Sequence, residues 1–301
     1  MAVRSGKPQT IPSKDLKAFL NANKRESRLL GAIERHRLAQ PFDERAQDVL
    51  HPSDLIKPEW CALAAYHALQ GNYVETRDKT TLRLQSIFDE GHYIHDKWQN
   101  YFRDMGNLFG DWRCKACKSI VVNSLPPKSC PSCERIDFIE YNEVPLFSEK
   151  HRIRGHADGW IKGIGDDCLI EIKSIGTGTL RMEAPALMEQ YGGDIDMVWK
   201  NLRQPLRPHL LQGQVYLHLA HLMKEAGYFK NSPDEIVFLY ELKANQEYKE
   251  YVVKYNPEFT EDIFEKALDV SWAAENNRPP LCSIDSEKGC KRCEPFREDV
   301  A

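Results

Sequence analysis

The chain has 301 residues, of which 42% are hydrophobic and 29% charged, and its net charge is −4. This is one or two globular domains with room for a large core, and it excludes a polycationic surface, so any contact with nucleic acid has to use a local basic patch. No apolar run is long enough to span a membrane, no apolar signal core follows Met1, and nine cysteines without a secretion signal read as metal ligands rather than disulfides.

In chain order, residues 11–40 predict a helix with Ser13 as N-cap and Leu16, Phe19, Leu20, Leu29, Leu30 and Ile33 as its apolar positions. Residues 1–45 carry ten Lys/Arg against five Asp/Glu, net +5, which leaves −9 for the rest. That segment reads as a solvated helix, with a DNA-facing arm as the alternative. A helix-like stretch begins near Cys61. Residues 81–104 predict an amphipathic helix, because Leu84, Phe88, Gly91, His95, Trp98 and Phe102 recur on one face. A lone His95 on such a face is ordinarily a core residue. Gly91, one turn earlier, permits close approach of another backbone. Apolar and period-2 runs follow at 138–141, 152–161 and 168–175, with Gly163 and Gly165 in the turn between the last two. Then come a helix over 209–225, a hairpin of 236–242 with 247–255, and a helix over 260–276 with Ile263, Ala267, Val270 and Ala274 inward. Pro279 and Pro280 end it.

The cysteines divide into groups. Cys114, Cys117, Cys130 and Cys133 form two CxxC knuckles with twelve residues between them, a spacing that wraps four thiolates around Zn²⁺. A zinc ribbon over 110–137 is expected. Cys282, Cys290 and Cys293 leave a second site one ligand short. Cys168 lies in a strand and reads as a small buried hydrophobe, so Cys61 is the better fourth ligand, although 221 positions away. Spacing does not separate zinc from an iron–sulfur cluster there.

Asp158 ends one predicted strand, and Glu171 and Lys173 share a face of the next. The turn between them can set Asp158 beside Glu171. Two neighbouring carboxylates repel unless a cation sits between them, and oxygen donors favour Mg²⁺ or Mn²⁺. A nearby lysine can orient a metal-bound water and balance charge in phosphodiester hydrolysis. Cross-strand Glu and Lys are often mere surface pairs, but here they sit in the apolar run 169–173.

These residues resemble the PD-(D/E)XK nuclease core, with G-H-A-D ending at Asp158 and E-I-K over Glu171, Ile172 and Lys173. Gly91 to His95 is similar to the G-x3-H helix of the RecB-like branch, Glu143 to Leu146 to its E-x-P-L strand, and Gln212 to Tyr216 to its Q-x3-Y helix. One early and three late cysteines resemble the iron–sulfur nucleases of that branch, which include AddB and the CRISPR-associated and phage-encoded RecB-like exonucleases. The resemblance covers about residues 50–296, with five motifs in the family's order. The Cys114–Cys133 ribbon is not a general feature of that family, and the late cysteine spacing matches only approximately.

The resemblance implies an α/β fold with a mixed central sheet flanked by helices, an inserted zinc ribbon and an iron–sulfur-stapled helical region. In segments, this is an N-terminal helical region (1–80), an active-site helix (81–109), the ribbon (110–137), the nuclease core (138–256) and a C-terminal helix with its cysteines (257–301). It implies that His95, Asp158, Glu171 and the Ile172 carbonyl ligate Mg²⁺ or Mn²⁺. Lys173 positions water, Gln212 and Tyr216 support the site or touch DNA, and Glu143 orients it or helps bind a second metal. Cys61, Cys282, Cys290 and Cys293 hold a structural [4Fe–4S] cluster. The activity implied is a DNA exonuclease on single strands or free ends, in the cytoplasm of a bacterial or phage-infected cell, with a recombination or repair protein as a partner and no membrane. The same core also serves site-selective endonucleases, and a scaffold subunit that retains the fold is the non-enzyme alternative. Arg203, Arg207, Lys288, Lys291 and Arg292 are the candidate phosphate contacts.

Overall fold

A computed structural model describes residues 18, 28–40, 46–72, 81–136, 139–284 and 290–296. Ser13, Leu16, Phe19, Leu20, Phe138 and Lys288 lie outside the described residues. The chain divides into two units, residues 1–45 with 76–90, and residues 46–75 with 91–301.

In the first unit, α1 (Arg28–Leu38) is described. Its apolar positions do not pack inward: Leu29, Leu30 and Ile33 are exposed. Arg37 clasps Asp89 through two hydrogen bonds of 2.8 and 2.7 Å.

The second unit begins with α2 (Pro52–Leu55) and α3 (Ala62–Leu69). Pro52 opens α2 because a first-turn N–H is not needed for the helix ladder. Helix α4 (Leu82–Asp104) spans the division between the units. Its apolar stripe divides in the same way. Leu84 and Phe88 are exposed, whereas Ile94 is buried and Trp98 and Phe102 pack against a cluster with Leu108, Trp112, Ile170 and Ile172.

Among the described residues nine strands follow: β1 (Leu108–Cys114), β2 (Ile120–Ser124), β3 (Ile139–Tyr141), β4 (Val144–Ser148), β5 (Ile153–Ala157), β6 (Gly159–Ile161), β7 (Cys168–Ile175), β8 (Glu235–Leu242) and β9 (Tyr248–Lys254). Seven form one sheet in the order β2-β1-β6-β7-β8-β9, with β3 also paired to β1. Strands β4 and β5 pair separately. The β7–β8 pair is parallel and the others are antiparallel, so the sheet is mixed. Strand β7 is central and almost wholly buried, as parallel pairing with helices on both faces requires. Edge strand β9 alternates between exposed and half-buried residues.

Between β7 and β8 run α5 (Thr177–Glu183), α6 (Pro185–Gln190), α7 (Ile195–Asn201) and α8 (Arg207–Glu225). Helix α8 lies against β8 and β4. It needs Gly213 for that approach: a Cβ there would stand 2.5 Å from Phe238 Cζ. Helix α9 (Glu261–Glu275) packs on α3 and buries Ile263, Ala267, Val270 and Ala274, the positions its periodicity marks.

Two arrangements differ from the sequence reading. The run 152–161 is not one strand. It breaks at Asp158, where β5 pairs with β4 and β6 joins the main sheet. The expected ribbon boundary at residue 110 falls inside a strand, because β1 carries Cys114 at one end and pairs with β6 at Leu108 and Phe109. None of the described helices is long and apolar enough to cross a membrane.

Candidate active site and metal centres

The break at Asp158 creates the site. Strand β6 pairs with β7 only as far as Gly159 and Ile170, and the chain then leaves the sheet. The Asp158 side chain takes the place of the departed strand, and its Oδ2 accepts the Ile172 N–H at 2.6 Å. In a hydrogen-bonded antiparallel position a residue presents its N–H and C=O to the same edge, so the Ile172 carbonyl lies on the Asp158 side as well.

The other Asp158 oxygen lies 3.1 Å from His95 Nδ1, on α4. His95 is thus bound to a carboxylate rather than packed among apolar side chains alone. Burial alone would push its imidazole down, but the Asp158 hydrogen bond and charge, aided by Glu171, outweigh that and raise it. Gln99, one turn on, donates to the Asp158 carbonyl at 2.9 Å. Lys97 and Trp98 donate to the buried Glu241 on β8, at 2.5 and 2.7 Å. Those two bonds fix the roll of the helix segment that presents His95.

On the opposite face of β7, Lys173 Nζ donates to Glu171 Oε1 at 2.6 Å and to Gln212 Oε1 at 3.2 Å. The Gln212 amide in turn donates to the Tyr216 hydroxyl at 2.8 Å. Burial raises the Glu171 carboxyl despite the ammonium beside it, while the Glu171 and Asp158 charges hold Lys173 protonated. Glu171 Oε2 is buried and has no hydrogen-bond partner among the described residues. An orphaned carboxylate oxygen is expensive in a protein interior. Together with Asp158 and His95 it makes a donor set suited to a hard divalent cation. Among the described residues these three donors do not all lie within 4.8 Å of one another, as the sulfurs of each cysteine group described next do.

Glu143 stands between β3 and β4 at a left-handed φ of 53°. Its carboxyl is pushed up to about 7, first by burial and then by the Asp158 charge. Of the phosphate-contact candidates, Arg203 and Arg207 line one cavity of about 710 Å³ with Tyr251 and Phe259. Lys291 and Arg292 are not on that wall, and Arg292 pairs with Glu59 at 3.3 Å.

Both cysteine sets converge. Within each of Cys61, Cys282, Cys290, Cys293 and Cys114, Cys117, Cys130, Cys133, all four sulfurs lie within 4.8 Å of one another. In the ribbon, each knuckle closes in the same way. Lys118 donates to the Cys114 carbonyl and Glu134 to that of Cys130, both at 2.8 Å, and both donors have left-handed φ, 64° and 59°. The Ser119 hydroxyl, 3.3 Å from Cys130 Sγ, pulls that thiol down to about 6. In the second set, Cys61 is the N-cap residue of α3 and its Sγ is 3.7 Å from that of Cys282. The pair joins residues near the two ends of the unit. Four thiolates at tetrahedral zinc distance stand about 3.8 Å apart, so both sets have single-ion spacing. A four-iron cubane places its own atoms between the thiolates and holds them farther apart.

Sequence reasoning missed Gln99, Lys97, Trp98 and Glu241. Only a glutamate in the apolar run of β8 hinted at the last of them.

No protein-family profile matches the chain, and no curated protein does. Among solved structures, SSO0001 aligns at 14% identity over 81% of this chain and 84% of its own, with a TM-score of 0.36. The alkaline exonuclease LHK-Exo from Laribacter hongkongensis aligns at 10% identity over 77% of this chain and 91% of its own, with a TM-score of 0.42. Its complex with dAMP aligns at 11% identity and a TM-score of 0.39. At these scores the likenesses decide nothing about this chain's activity.

Proposed function

We propose that the chain is a divalent-metal-dependent DNA nuclease, an exonuclease acting on single strands or free ends in recombination, repair or phage DNA processing. The observation that carries the reading is the buried, unpartnered Glu171 Oε2 in a site shared with Asp158, His95 and Lys173.

His95, Asp158, Glu171 and the Ile172 carbonyl are the proposed holders of Mg²⁺ or Mn²⁺, which when bound supplies Lewis-acid activation of water and of a phosphoryl oxygen. The remaining chemistry belongs to the chain. Lys173 Nζ, held by Glu171 and Gln212, offers a fixed positive charge and a proton donor where negative charge develops on the phosphate. Gln212 keeps that ammonium aimed and is itself tethered by Tyr216. Asp158 ties the His95 helix to β7 and so sets the separation of the donors. Glu143, with its carboxyl near neutrality, is placed to hold a proton close to Asp158 or to help bind a second cation.

The cysteine sets are proposed as staples outside the chemistry, with zinc on Cys114, Cys117, Cys130 and Cys133. For Cys61, Cys282, Cys290 and Cys293 the family resemblance favours a [4Fe–4S] cluster. The sulfur spacing favours a second reading, one zinc ion. Metal analysis of anaerobically purified protein separates them. Iron with a visible thiolate-to-iron band supports the cluster, and two zinc ions in colourless protein support the ion.

The test of function is digestion of end-labelled single- and double-stranded DNA with Mn²⁺. Nucleotides released progressively from free ends, with blocked ends and closed circles resistant, support the exonuclease. Cutting of circles makes the protein an endonuclease instead. No cleavage of any substrate, with DNA still bound, makes it a scaffold.

A further inference from the structure

Resting on the nuclease reading, we infer that His209 is a further catalytic residue, a neutral N–H donor to a non-bridging oxygen of the phosphate at the Lys173 site. His209 lies in the first turn of α8, one turn before Gln212 and two before Tyr216, so these three share a helix face. That face looks onto β7 and β8. Tyr240 is the register partner of Lys173 across the two strands, so their side chains stand on the same side of the sheet. His209 Nδ1 is 2.5 Å from the Tyr240 hydroxyl.

Donor and acceptor accounting fixes the tautomer. The Tyr240 oxygen is buried and already accepts the Leu206 N–H at 2.9 Å. Its own proton needs an acceptor, and of its two bonded neighbours only His209 Nδ1 can serve. The ring proton of His209 therefore resides on Nε2. Burial, with the Lys173 charge, pushes the imidazole down to about 3, so the ring stays uncharged at neutral pH. Nε2 has no acceptor among the described residues, and it is not among the buried atoms that lack a partner. The ring is half-buried, its orientation is fixed by Tyr240, and it stands on the helix face that carries Gln212 and against the side of the sheet that carries Lys173. A phosphate oxygen is the acceptor such a donor suits. A neutral donor beside a cation adds a directed bond without adding to the repulsion among the site's positive groups.

The test is steady-state cleavage of end-labelled DNA with Mn²⁺ by the full chain, over a salt series, for wild type, E171A, H209A and H209Q. DNA binding is measured alongside with Ca²⁺ in place of Mn²⁺. H209A is expected to lower kcat roughly 10- to 100-fold, the range for a hydrogen bond to an anion, with little change in KM. Its salt slope for binding should equal that of wild type, because no charge is lost. H209Q keeps an N–H at a similar reach and is expected to recover most of kcat. Wild-type kcat in H209A overturns the inference. So does a salt slope shallower by about one in H209A, the mark of a lost cation. A folded H209Q as slow as H209A, judged by circular dichroism, overturns it too. If wild type cleaves and E171A does not, those outcomes count against His209 alone. If wild type itself does not cleave, the nuclease reading falls and the His209 inference falls with it.

Discussion

Replacing Lys173 by methionine strips the cation that, among the described residues, is hydrogen-bonded to Glu171, whose side chain is 4% exposed. Removing one partner of a buried pair costs about 3–5 kcal/mol. Here the loss has a ceiling, because the stranded carboxyl can take up a proton. From an unfolded value of about 4.3, holding that proton at pH 7 costs about 4 kcal/mol, and at pH 5 only about 1. The sign follows from the upward shift of Glu171. An acid whose folded value is raised weakens the fold as pH climbs past its unfolded value. In wild type that carboxyl already titrates at about 7 when folded, so both chains weaken alike up to about pH 7, and K173M should then fall behind by about 1 kcal/mol more between pH 7 and pH 8. The double variant E171M/K173M removes both charges and should be at least as stable as wild type, since apolar replacement of a buried pair is neutral or favourable by about 1–4 kcal/mol. The assay is urea unfolding from pH 5 to 8 without added Mg²⁺ or Mn²⁺, followed by the fluorescence of the six tryptophans. A gap between K173M and wild type that does not change with pH would refute the reasoning. So would a double variant weaker than the single one.

Other outcomes follow from the same geometry. E143Q should gain on wild type as pH rises from 5 to 8, reaching about 1–3 kcal/mol, because the Glu143 carboxyl loses its proton near 7 when folded and near 4.3 when unfolded. Thermal melts at each pH check this. G213A drives a Cβ to 2.5 Å from Phe238 Cζ and should cost about 1–3 kcal/mol, read as a lowered Tm. E241A strands Trp98 Nε1 and Lys97. It should cost about 2 kcal/mol, tempered because the Lys97 side chain is 36% exposed, and should raise the Mn²⁺ concentration needed for half-maximal cleavage. C114S and C61S should each remove one metal centre and leave the other, as metal content per chain will show.

Much of this was legible from sequence because the signals were local. Glu171 and Lys173 share a strand face by period-2 alternation, and Gln212 and Tyr216 a helix face by their four-residue spacing. The CxxC pairs announce knuckles, and the pattern of α9 names its own buried residues. What stayed hidden depended on tertiary placement. Asp158 looked like a strand end, but it is the point where one strand is shared between two sheets, and no periodicity marks that break. The Glu241 clamp joins α4 to β8 across 144 positions. Helices α5, α6 and α7 are each six or seven residues long, too short for a helical period to stand out.

The central claim concerns a cation held by oxygen and imidazole donors at the break in the sheet. Mn²⁺ titration followed by electron paramagnetic resonance tests it without reference to activity. The account predicts a bound Mn²⁺ signal in wild type that is lost in D158A and in E171A, with both cysteine centres intact by metal analysis. Binding of Mn²⁺ by D158A and E171A as tight as by wild type would contradict it.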